Sequence, residues 1–251
     1  MKFDLALNPP LMNAAGSLGF SPGRWQSGTG YDLGAFVTNP VSLAQRSPAQ
    51  GRGLWIFPGG VILHSGYPNP GLKAVIRRHA GRWSRAELPV IVHLLAQRDD
   101  EIAKMVQMLE SVPGVSAVEI GLPPEADKEL TTRMVRSAAG ELPVLARLSL
   151  ERILELGEAA INAGAAAVSM GPPRGALPGS DGKLLRGRSY GPALFPLALA
   201  TVQALTKMGL PVIGACGVYR PEDIEAMFAA GALEVQLDAV IWRGGAGSII
   251  W

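Results

Sequence analysis

A (β/α)8 TIM barrel is the fold class that the sequence predicts, on two observations. Short apolar runs rich in Val, Ile, Leu and Ala recur along the chain, and segments of helical period separate several of them, as parallel strands joined by crossover helices require. The runs number eight, the count at which a parallel sheet closes into a barrel. The length agrees, because 251 residues with 48% hydrophobic content suit one barrel domain over 1–251.

In chain order, the first two runs are Pro10 to Ala15 and Ala35 to Asn39. Leu54 to Leu63 follows, two apolar arms around Pro58-Gly59-Gly60, which predicts a β-hairpin in the loop after the second strand. Val90 to Leu95 is the third strand, and Asp99 to Ser111 a helix with Ile102, Met105, Val106 and Leu109 on one face. Ala117 to Gly121 and Val144 to Leu148 are the fourth and fifth strands. Leu150 to Asn162 is a helix burying Ile153, Leu154, Leu156, Ala160 and Ile161. Ala166 to Met170 is the sixth strand; the loop Arg174 to Arg188, with Lys183, Arg186 and Arg188, could close over an anionic ligand but reads first as solvated and mobile. After the seventh strand, Val212 to Ala215, Pro221 with Glu222 and Asp223 opens a helix that Gly231 closes. Leu233 to Leu237 is the eighth strand. The segment from Ile241 to Trp251, with Gly244, Gly245 and Gly247, is too short and flexible for the usual last helix, which leaves the seam open or covered by another subunit. Trp242, Ile249, Ile250 and Trp251 would be the surface for a homo-oligomer or a partner subunit.

Composition removes several classes. The net charge of +2 gives no reason to expect nucleic acid or an anionic membrane as partner. The lone Cys216 excludes an internal disulfide, which fits a cytoplasmic protein, and Asp4 with Pro9-Pro10 interrupts any signal-peptide stretch. No run reaches the roughly 18 apolar residues of a spanning helix. His64, His79 and His93 lack metal-ligand spacing, so no metal is expected. None of the 6 lysines ends a strand, which argues against Schiff-base chemistry.

Barrel enzymes place their chemistry after the C-terminal ends of the strands, and there the chain carries ordered motifs. They are Asn13-Ala14-Ala15-Gly16 with Leu18-Gly19-Phe20, Leu33-Gly34-Ala35 through Thr38, Leu54-Trp55, Pro58-Gly59-Gly60, Gly66 and Asn69-Pro70-Gly71. Tyr190-Gly191-Pro192-Ala193-Leu194, Pro211-Val212-Ile213-Gly214, Gly217, Glu222-Asp223 and Ala230-Gly231-Ala232 with Val235-Gln236 continue the series. In order and spacing they resemble the class 1 dihydroorotate dehydrogenases over nearly the whole chain. That resemblance implies an oxidoreductase of pyrimidine biosynthesis, with FMN across the barrel mouth taking a hydride from a small-molecule substrate, dihydroorotate, while a cysteine base removes the neighbouring proton. It places Ala14, Ala15, Gly16, Asn39, His93, Arg147, Gly191, Gly217, Asp238 and Ala239 at the cofactor, and His64, Gly66, Tyr67 and Asn69 at the substrate.

Against the family pattern, Asn39 replaces a lysine, Leu63, His93 and Gly121 replace asparagines, and Arg147 replaces a second lysine. Leu122-Pro123-Pro124 shortens the loop that bears the cysteine base, and Pro172-Pro173 replaces an asparagine and a threonine. At the phosphate, Cys216 takes a glycine position and Asp238-Ala239 that of glycine and threonine. An inward Asp238 would oppose FMN unless Arg220 or Arg243 neutralised it, and strand phase leaves its direction open. The catalytic residue is unassigned; candidates are His64, Ser65 with His64 beside it, and Arg147. The plainer alternatives are a loop role for His64, a core role for His93, an Arg147–Glu119 pair, and a small buried Cys216. Three functions stay open: a flavin oxidoreductase, a non-catalytic partner or regulatory subunit, and a barrel holding another small anion on Arg147 and His93.

Overall fold

A computed structural model describes residues 7–23, 31–50, 53–179 and 182–243, the last of these, Arg243, by its backbone alone. In chain order the elements are β1 (Leu11–Asn13), β2 (Phe36–Val37), β3 (Val41–Ser42), β4 (Leu54–Phe57), β5 (Gly60–Leu63), α1 (Leu72–Trp83), β6 (Val90–Leu95), α2 (Asp99–Glu110), β7 (Val115–Gly121) and α3 (Lys128–Ser137). They continue with β8 (Val144–Ser149), α4 (Ile153–Asn162), β9 (Ala167–Gly171), β10 (Arg174–Pro178), β11 (Leu184–Tyr190), α5 (Phe195–Lys207), β12 (Val212–Gly214), α6 (Pro221–Ala229) and β13 (Glu234–Leu237), after which Ala239–Arg243 forms a 3-10 turn.

The main sheet runs β1-β13-β12-β9-β8-β7-β6-β2, all parallel, with β3 prolonging β2 along β6. The gap from β1 to β2 is bridged at Met12 and Ala35. There the Asn13 amide stands in for a backbone, donating to the Val37 carbonyl at 2.7 Å and accepting from the Val37 amide at 2.9 Å. The seam at the eighth strand is also joined, since β13 pairs with β1 from Leu11 to Asn13. The expectation of an open seam is therefore corrected among the described residues, because backbone pairing joins β13 to β1. The tail beyond Arg243, and with it most of the expected partner segment, lies outside the described residues.

Alternation along the strands sorts the core into two layers. Val92, Leu94, Val118, Ile120, Ala146, Val168 and Met170 face the helices, meeting the apolar stripe Ile102, Met105, Val106 and Leu109 of α2 among others. Met12, Ala35, Val37, Ile91, Ala117, Leu145, Ala167 and Ile213 fill the barrel interior. In α4 the buried set is Ile153, Leu156, Gly157 and Ala160, whereas Leu154, expected inside, is exposed because it lies off that stripe. In α6, which opens at Pro221 as its sequence predicts, Asp223 accepts from the Tyr219 and Arg220 amides at 3.0 Å each and caps the helix.

The expected hairpin is β4–β5, and it is half of a second, four-stranded antiparallel sheet of order β10-β11-β5-β4. Its other half is the segment Arg174 to Arg188, expected as a mobile loop and here a paired hairpin. Two facing glycines, Gly175 and Gly187, let it lie against β5; a Cβ on Gly187 would stand 2.6 Å from Ile62 Cγ2 and 2.7 Å from the Leu63 carbonyl. Glycines and arginines hide the alternation by which a strand is read. This sheet sets Arg174 and Arg188 above the barrel mouth.

Candidate functional site

On β6, β7, β8 and β9 the next inward-facing residue towards the mouth is polar where the one before it is apolar, and Gln236 of β13 joins them. His93 on β6, Glu119 on β7, Arg147 on β8, Ser169 on β9 and Gln236 on β13 are all buried and converge on the Glu119 carboxylate. Oε1 accepts from Ser169 Oγ at 2.6 Å and from Gln236 Nε2 at 2.7 Å. Oε2 meets His93 Nδ1 at 2.6 Å and, more loosely, Arg147 Nη1 at 3.4 Å, which also reaches Gln236 Oε1 at 3.4 Å. Burial alone would raise the Glu119 carboxyl, but the Arg147 charge and the donors around it prevail and hold it well below the usual carboxylate range. His93 is lowered, chiefly by burial. The consistent state is an ionised Glu119 paired with Arg147 and a neutral His93 that donates from Nδ1, so Nε2 is left as an acceptor. A Cβ on Gly121 would lie 2.8 Å from that Nε2, so the missing side chain at 121 makes room for the ring.

His93 and Arg147 form the floor of a cavity of about 50 Å3 that Leu95, Leu122, Ser149, Pro172, Arg174 and Arg188 help to wall. Two further spaces of about 220 Å3 each adjoin it. One carries Arg46, His64, Arg174 and Arg188. The other lies over Ala15, Gly16, Asn39, Leu63, Ser65, Tyr190 and Trp242. Tyr67 borders all three, with a left-handed backbone (φ 51) and the Arg188 guanidinium 4.2 Å from its ring centre. Tyr67 thus divides the mouth.

The remaining residues singled out in the sequence scatter around this centre. Ala14 is tied to β13 through the Leu237 carbonyl, and Asn39 accepts from the Gly19 amide at 3.0 Å. The Asn69 carbonyl accepts from the Ser42 and Gly71 amides, and its amide donates to Ser42 and Tyr67, so this side chain braces the loop. Gly66 (φ 75) packs on the backbone at Ala49. His64 is exposed, and Ser65 Oγ accepts from the Tyr67 amide at 3.2 Å; no hydrogen bond among the described residues joins the His64 ring to it. Gly191 and Gly217 approach backbone of the chain itself: a Cβ on Gly191 would lie 2.2 Å from the Gly59 carbonyl, and one on Gly217 2.5 Å from the Phe195 amide. Cys216, in left-handed backbone at φ 73, is buried, and burial pushes its thiol up, far from a thiolate. Sequence reasoning reached Arg147 with Glu119 but missed Ser169 and Gln236, although counting by twos from the strand ends places both beside Glu119.

No protein-family model matches the chain. The chain is 31% identical over 253 residues to the dihydroorotate dehydrogenase B (NAD(+)) catalytic subunit of Desulforudis audaxviator, covering 92% of this chain and 82% of that relative. The proteins of the same name from Bacillus mycoides and Trichlorobacter lovleyi are each 28% identical, over 92% and 93% of this chain and 82% and 84% of theirs. The chain belongs to the dihydroorotate dehydrogenase family.

Membership poses the question of whether these residues suit FMN, and the phosphate end decides it. Asp238, two residues beyond the inward Gln236, faces inward and is 3% exposed. One carboxylate oxygen accepts from the Ala239 amide, and Oδ2 has no hydrogen-bond partner among the described residues. Burial pushes this carboxyl up to about 6, against the pull of the Ala239 amide, the Arg147 charge and the Gly217 backbone. Where the resemblance implies a glycine and a threonine at the phosphate, this chain presents a buried acid that already takes the Ala239 amide. Arg220, the expected neutraliser, is engaged with Asp223 at 2.9 Å, and the Arg243 side chain lies outside the described residues. An ionised Asp238 would repel a phosphate by about 4 kcal/mol for unit charges 4 Å apart, so a phosphate here calls for a protonated Asp238. At this end of the mouth the chain therefore offers a buried acid. Among the described residues no group of His, Cys, Asp or Glu is placed to hold a metal, and no helix is long and apolar enough to cross a membrane.

Proposed function

We propose that this member of the dihydroorotate dehydrogenase family binds a small carboxylate of the dihydroorotate type in its barrel mouth without FMN. The observation that carries the reading is Arg147: buried at the cavity floor, with its hydrogen bonds among the described residues made by Nη1, it has donors to spare. A buried guanidinium with spare donors is a natural carboxylate anchor. Arg174, Arg188 and Arg46 add positive charge around the adjoining space, which steers anions inward. The relatives' names supply the ligand class. Their flavin chemistry is not carried over, because a buried Asp238 stands where the resemblance implies the flavin phosphate.

Purified protein is expected to be colourless, to take up no FMN in a visible titration, and to bind dihydroorotate by calorimetry. Arg147→Lys, which keeps the charge but loses the fork, is expected to weaken that binding by about 10-fold or more. A yellow preparation, stoichiometric FMN uptake, or no heat of binding with dihydroorotate would each sink the proposal.

A further inference from the structure

Resting on the carboxylate reading above, we infer that the cavity binds its anion together with a proton: a carboxylate seated on Arg147 drives protonation of His93 at Nε2, making His93 a second donor to the ligand. The geometry is a closed charge balance. On this floor one carboxylate, Glu119, lies between one guanidinium, Arg147, and one imidazole, His93, which is neutral with Nδ1 committed to Glu119. An incoming anion on the same floor leaves that buried group one negative charge in excess. Low dielectric makes such an excess costly. The acceptor Nε2, kept open by the absent side chain of Gly121, is the available place for a compensating proton.

The groups that face His93 are few and all bear on this balance. Glu119 approaches from β7, Arg147 from β8 and Arg188 from β11, the two arginines opposing protonation and Glu119 favouring it. From beyond β2, Thr38 Oγ1 accepts from the His93 backbone amide at 3.1 Å and is neutral. Ser169 donates to Glu119, and Gln236 Nε2 donates to Glu119 and to Met12 Sδ. Arg174 and Tyr67 share the cavity wall. Asp238, which feels Arg147, is the rival site for the proton. With the anion in place Arg147 is shared between two carboxylates, so its opposition to a charged imidazole falls.

The test is calorimetry of the full chain with dihydroorotate near pH 7 in buffers of different ionisation heat, where the carboxylate ligand itself stays ionised. Uptake approaching one proton per ligand is expected, with the affinity falling up to about 10-fold for each pH unit of increase above neutrality. In His93→Gln the uptake should vanish and the pH profile flatten. The 15N shift of His93 Nε2 in the unsubstituted protein, with and without dihydroorotate, gives the same answer without a variant. Dihydroorotate binding with no proton uptake, or uptake that persists in His93→Gln and disappears in Asp238→Asn, overturns this inference and leaves the carboxylate site standing. Absence of dihydroorotate binding overturns both.

Discussion

Asp238 shows how one side chain fixes the character of a site. Its carboxyl rises to about 6 in the folded chain, while an unfolded aspartate titrates near 3.9. The folded state therefore holds the proton more tightly, so the stability tied to this group is present below about pH 4 and is lost as pH rises through 6. A rise of that size is worth about 3 kcal/mol. Asp238→Asn is expected to melt higher than the unsubstituted protein at pH 7.5, by about 5–10 °C, with the gap closing towards pH 4.5. Melting curves at the two pH values check it; an equal gap at both would remove Asp238 as a buried acid. Glu234, raised to about 7 by burial, adds a slope of the same sign to both proteins. Residue identity was legible in sequence, since the replacement of glycine by Asp238 is visible there. Its direction was not, because a strand end carries no phase without its register to β12 and β1.

At the scale of elements, the second sheet matters most. β4–β5 could be read from its apolar arms, whereas β10–β11 could not: its β5-facing positions include Gly175 and Gly187, and its exposed ones Arg174 and Arg186. Pairing with β5 turns this segment into a wall of the mouth and brings Arg188 onto Tyr67. Gly187→Ala would force a methyl onto Ile62 and the Leu63 carbonyl. Overpacking of that kind costs about 1–3 kcal/mol. The variant should lose dihydroorotate affinity and become open to limited proteolysis between residues 174 and 190 while the barrel's far-ultraviolet dichroism is kept. Unchanged proteolysis would show that the two hairpins are not tied.

For the whole molecule, closure rests on a side chain that imitates a backbone. Asn13 is fully buried and makes both a donated and an accepted bond to Val37. Asn13→Leu leaves the amide and carbonyl of Val37 without these partners at about 1–3 kcal/mol each. Denaturant unfolding is expected to show a loss of at least about 2 kcal/mol, and a loss within about 0.5 kcal/mol would mean that backbone pairing alone closes the barrel. The eight strands, α2 and α6 and the family resemblance were determined by the sequence itself, because apolar periodicity and helix caps act over a few neighbouring residues. Tertiary structure alone decided that His93, Glu119, Arg147, Ser169 and Gln236 share one charge-balanced cluster, that Asp238 turns inward and that Tyr67 divides the mouth. Those outcomes depend on register between strands far apart in the chain, and on the low-dielectric interior that this register creates.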